Sequence, residues 1–172
     1  MMMSMLVAGG LEALVDNIRV ADEDNPRGYF ELEKIKELAR DDSWVGQARG
    51  KVIKAISALL KQLPHQHHYK VIFMRRKMEE ILASQRQMLI RRGEPTDAVT
   101  DEKMAGLFNK HLQSVFAWLD EQSNFDVIYI DYNETLTDAQ PAIEKINRFL
   151  GGWLDEEKMA AVVDRALHRQ RR

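Results

Sequence analysis

In the stretch YKVIFMRRKMEEILASQ, from Tyr69 to Gln85, two arginines stand where an apolar run stops and a helical pattern begins. The spacing predicts a strand ending at Arg75 and Arg76. The first turn of the following helix would present unpaired amides and the positive end of its dipole. That combination favours an anion, and a guanidinium offers a planar fork for phosphate oxygens. Ser84, two turns along the same helix, adds a hydroxyl donor. The alternative is structural, with the arginines pairing with Glu79 and Glu80 at a solvated helix start.

Two other stretches suggest chemistry and fail on spacing. HQHH, His65 to His68, offers imidazoles for zinc, but His67 and His68 point in different directions and no carboxylate is regularly spaced with them. No metal is expected. GQARGKV, from Gly46, has one residue too few between its glycines for a phosphate-binding loop. It also lacks the hydroxyl residue after its lysine and precedes a strand instead of following one.

The elements that must carry the arginines follow from periodicity. Met1–Ala8 reads as a buried helix stopped by Gly9-Gly10, and a loop through Asn25-Pro26 follows. Phe30, Leu32, Ile35 and Leu38 predict a short amphipathic helix over Phe30–Arg40. KVIKAI, from Lys51, predicts a strand running into a helical turn ended by Pro64. After the strand YKVIFM, the residues Met78, Ile81, Leu82, Met88 and Leu89 mark one helical face. A long helix from about Asp101 to Glu121 should turn Met104, Leu107, Phe108, Leu112, Val115, Phe116 and Leu119 inward. FDVIYIDY is a third strand, followed by a turn, a helix with Pro141 in its first turn and a final short helix from Asp155. Strands alternating with helices predict an α/β fold, a parallel sheet covered on both faces.

The segment around Arg76 resembles the 3'-phosphate-binding segment of sulfotransferases that use 3'-phosphoadenosine 5'-phosphosulfate (PAPS). There a strand ends in an arginine and a serine follows eight residues later, the positions of Arg76 and Ser84. NPRGYFELEKI, GKVIK and VIYIDYNETLTDAQPAIEKINRFLG are similar to further segments of the bacterial members, so the resemblance covers nearly the whole chain. It implies a P-loop-type parallel sheet flanked by helices, with PAPS as cosubstrate and sulfonate transfer to a hydroxyl or amine. The acceptor class (small molecule, carbohydrate or lipid) stays open. By resemblance, Arg76 and Ser84 bind the 3'-phosphate, Tyr132 flanks adenine and Lys54 meets the leaving phosphate. Ile56 stands where many members carry a histidine base, and Glu31 is the substitute; its alternative is an exposed first-turn glutamate. Arg169, in the basic tail HRQRR, would reach the nucleotide phosphates unless that tail is only solvated.

The family's first strand and 5'-phosphosulfate loop would precede MMMSML. Their absence from this chain makes transfer by it doubtful, and the alternative is a non-catalytic nucleotide-binding or partner-binding remnant.

Whole-chain properties set the outer limits. A length of 172 residues with 45% hydrophobic content suits one domain with a real core. A formal net charge of −2 gives no global basic field for nucleic acid. Zero cysteines exclude disulfides and thiolate sites and make a cytoplasmic location the simplest expectation. No run reaches the length of a membrane span. An exposed sheet edge would favour self-association.

Overall fold

The computed structural model describes residues 1–16, 18, 29–96 and 99–164 of the chain. They form two compact units, one of Met1–Tyr69 with Ile143–Val163 and one centred on Lys70–Ala142. Helix and strand are mixed, with a two-stranded parallel sheet flanked by helices. Arg169 lies outside the described residues.

The first unit opens with α1, Met2–Ala8, whose Met5 and Leu6 are buried, and packs it on α6, Glu156–Ala161. Gly9 makes that packing possible. A Cβ built on it would come within 2.8 Å of Met159 Cγ, and its carbonyl accepts from the Asp155 amide at 3.0 Å. Leu32, Ile35, Leu38, Trp44 and Val45 form a second buried cluster. The helix expected over Phe30–Arg40 is only one 3-10 segment, Glu33–Glu37.

KVIKAI is not a strand. Among the described residues Val52 alone of this run pairs, in a parallel bridge with Ala13, and Ile56 is 64% exposed. Past that bridge Asp16 is committed elsewhere: its amide donates to the Glu31 carbonyl at 3.2 Å, and its carboxylate accepts from the Ile18 and Glu33 amides. The fully covered three-stranded sheet expected from the sequence is therefore reduced to two strands and this bridge.

The second unit holds β1, Tyr69–Arg75, from its second residue onward, and β2, Phe125–Asp131, its hydrogen-bonded neighbour. Lys70 Nζ lies 3.8 Å from Asp126, Phe73 and Tyr129 have centroids 5.8 Å apart, and Arg76 covers the Tyr132 ring at 4.9 Å. Each partner lies the same number of positions downstream, so the strands run parallel in one register. Parallel strands need a long crossover, and α2, Met78–Arg92, with α3, Asp101–Asp120, supplies it. Gly93, at φ 67°, ends α2 in the left-handed conformation, and the Thr100 hydroxyl accepts from the Lys103 amide to start α3.

Val115 and Leu119 of α3 are buried, as expected. Leu107, expected to face inward, is 54% exposed, and Met88, on the apolar face of α2, is 42% exposed. Phe116 of α3 stacks edge-on against Phe73 and Tyr129, and the Arg75 guanidinium lies 4.1 Å from the Tyr129 centroid. The turn expected after β2 is instead a helix, α4, Tyr132–Thr137, and α5, Gln140–Leu150, follows it.

Candidate functional site

Parallel strands place their carboxyl ends side by side, and in open α/β sheets that rim is where ligands bind. Arg76 follows β1 directly, and Tyr132 follows β2 directly. The common register brings the guanidinium over the phenol ring at 4.9 Å, with the Arg76 side chain 27% exposed. Sequence reasoning singled out both residues, and the structure brings them together.

Arg76 is held from one edge only. Its Nε donates to Glu80 Oε2 at 2.8 Å, and among the described residues its two Nη groups donate no hydrogen bond. The structural alternative, pairing with Glu80, is thus present. It leaves the end of the fork unspent. A cation two residues before a helix also opposes the helix dipole, so Arg76 is poorly placed as a helix stabiliser. The Lys77 side chain provides no cap for the first turn of α2.

Behind this pair stands Asn133. Its Nδ2 donates to Glu80 Oε1 at 2.5 Å, so both Glu80 oxygens are occupied. Asn133 is positioned by α4, whose start is capped by the Asp131 carboxylate accepting from the Asn133 and Glu134 amides. Among the described residues the buried Asn133 Oδ1 atom has no hydrogen-bond partner. A buried unsatisfied acceptor costs roughly 1–3 kcal/mol, and the amide accepts that cost because Glu80, as a carboxylate acceptor, requires the NH2 side to face it. Burial pushes the Tyr132 phenol pKa up; the Arg76 guanidinium opposes the shift and Glu80 adds to it.

Ser84 occupies an exposed position on α2 and is not a hydrogen-bond partner of Arg76. Six positions past the first residue of α2, it sits about 9 Å along the axis. Arg75 points its charge at the aromatic cluster instead of the rim.

Lys54 and Glu31 belong to the first unit and meet there. Lys54 Nζ donates to the Tyr29 carbonyl at 2.9 Å and to Glu31 Oε1 at 3.2 Å. Between those acceptors Phe30 takes φ 49°, the left-handed region, at a cost on the order of 1 kcal/mol or more. That sharp bend lets neighbouring carbonyl and carboxylate face one ammonium. Among the described residues no group of three His, Asp or Glu side chains is placed to hold a metal ion, and no helix is long and apolar enough to cross a membrane.

Asn133 escaped the sequence reading, and Glu80 entered it only as a structural partner for the arginines. Asp131 and Glu134 form a D-x-x-E helix-start pattern that signals α4 and hence the placement of Asn133. Nothing in the sequence joins Asn133 to Glu80, 53 positions away. No family model, curated protein or solved structure matches the chain.

Proposed function

We propose that the rim formed by Arg76 and Tyr132 binds the 3'-phosphoadenosine end of a nucleotide, as in the PAPS-dependent sulfotransferases that the sequence resembles, on a P-loop-type sheet. The observation that carries this reading is the unspent Nη edge of Arg76, fixed over an aromatic ring at the carboxyl end of a parallel strand pair. The fork suits a phosphate monoester, and the uncapped first turn of α2 adds amide donors. Ser84 contributes a hydroxyl from further along α2. Tyr132 provides apolar surface for the base.

PAPS, when bound, supplies the sulfonate group that passes to a hydroxyl or amine. By the resemblance alone, Glu31 is assigned the acceptor's proton and Lys54 the negative charge of the leaving phosphate, and both lie in the first unit. A second reading, a nucleotide-binding module without transfer, is favoured by the Lys54–Glu31 pair itself, because each group already engages the other's charge. Two assays separate them. Titration calorimetry with adenosine 3',5'-bisphosphate should show saturable binding, and its absence would remove both readings. Sulfonate transfer from PAPS to simple alcohols or amines, abolished in Lys54→Ala, would select the first; binding without transfer would select the second.

A further inference from the structure

The side chains that touch Arg76 form a chain of contacts beginning in another element. Asn133, on α4, donates to Glu80 Oε1; Glu80, on α2, accepts from Arg76 Nε through its other oxygen. Glu80 is only 11% exposed and Arg76 27%. A long side chain with several rotatable bonds would otherwise sample many directions at the rim, and fixing Nε fixes the plane and the outward edge of its fork.

The Asn133 amide is oriented at its own expense. Turning it over would leave its buried Oδ1 facing the carboxylate, so the ionised Glu80 keeps Nδ2 inward and Oδ1 unpartnered. A group held in an unfavourable arrangement by its neighbours marks a place where position is being specified.

We propose that Asn133 and Glu80 are positioning residues which aim the Nη edge of Arg76 at a terminal phosphate, and so set the preference for a 3'-phosphorylated nucleotide over its unphosphorylated counterpart. The proposal rests on the nucleotide reading of this rim. Asn133 touches no ligand in this account; it acts through Glu80 and then Arg76.

The test uses the full chain and two probes, adenosine 3',5'-bisphosphate and adenosine 5'-monophosphate, in titration calorimetry. Wild type should prefer the bisphosphate, and Asn133→Ala should reduce that preference about tenfold while leaving monophosphate affinity unchanged, the scale of one charge-assisted hydrogen bond. In an Arg76→Ala background the same change should have no further effect, which a merely structural role would not produce. Glu80→Gln should rescue most of the preference, because its carbonyl still accepts from Arg76 and its NH2 can donate to a turned-over Asn133 amide. Glu80→Ala should not. A wild type without any preference would overturn the nucleotide reading and this proposal with it. A wild type with a preference that Asn133→Ala leaves intact, or lowers equally in the Arg76→Ala background, would overturn the positioning role alone. Should Asn133→Ala fail to fold, the Glu80→Gln and Glu80→Ala pair decides: equal losses contradict the proposal.

Discussion

Arg75 and Arg76 are neighbours in sequence and diverge in structure, one lying over the Tyr129 ring at 4.1 Å and the other over Tyr132 at 4.9 Å. Successive residues leaving a strand point to opposite faces. Arg75 therefore covers the aromatic cluster of Phe73, Phe116 and Tyr129, while Arg76 reaches the rim.

The two arginines should separate in mutation. Arg75→Ala removes a cation–π contact at a largely exposed site and should cost about 0.5–1 kcal/mol of stability. Nucleotide affinity should stay unchanged. Urea unfolding and calorimetry on the same variant check both halves, and a loss of binding there would misplace the anion site.

Gly9 should resist substitution for steric reasons alone. Its φ of −70° suits any residue, but an added methyl meets Met159 Cγ at 2.8 Å and Sδ at 3.0 Å, and Met159 is fully buried. Gly9→Ala should destabilise the chain by about 1–3 kcal/mol, the usual cost of overpacking. Gly9→Ala combined with Met159→Ala should recover part of the loss of Gly9→Ala relative to Met159→Ala alone. Equal stability of wild type and Gly9→Ala in thermal unfolding would contradict the packing described between α1 and α6.

Tyr69 gives a pH dependence with a definite sign. Burial, with Asp42 adding to it, pushes its phenol from 10.0 up to about 12, and the hydroxyl donates to the Pro64 carbonyl at 2.8 Å. A raised folded-state value means the folded protein holds the proton more tightly than the unfolded chain. The associated stability is therefore full below pH 10 and lost as pH rises towards 12. Tyrosinate absorbance should show late-titrating tyrosine, of which Tyr69→Phe removes one component and leaves that of Tyr132, with a flatter alkaline stability profile. Loss of an early-titrating tyrosine in that variant would contradict the assignment.

What the sequence made legible was local. YKVIFM and FDVIYI are mostly apolar runs of strand length, the first meeting a helical pattern at once, so β1, β2 and the helices between them could be placed, and with them Arg76 and Tyr132 at the strand ends. KVIKAI carries the same apolar signal, but whether it becomes a strand depends on a partner segment, and after one bridge that segment's Asp16 bonds to Glu31 and Glu33 instead. Periodicity likewise placed Met88 on an apolar face and Leu107 on an inner one without knowing whether anything covers those faces there. The relay from Asn133 to Glu80 depends on the register of two strands and has no sequence signature. Lys54 and Glu31 were named by resemblance; their meeting depends on the left-handed backbone at Phe30, which no residue type there announces.

Under the proposed function Arg76 is an anion ligand and not only a partner for Glu80. The most direct test is the calorimetric affinity of wild type and Arg76→Ala for adenosine 3',5'-bisphosphate. The account predicts a loss of roughly 1.5–3 kcal/mol, the worth of hydrogen bonds to a charged group, with the fold retained by circular dichroism. An unchanged affinity in a folded Arg76→Ala variant would contradict it.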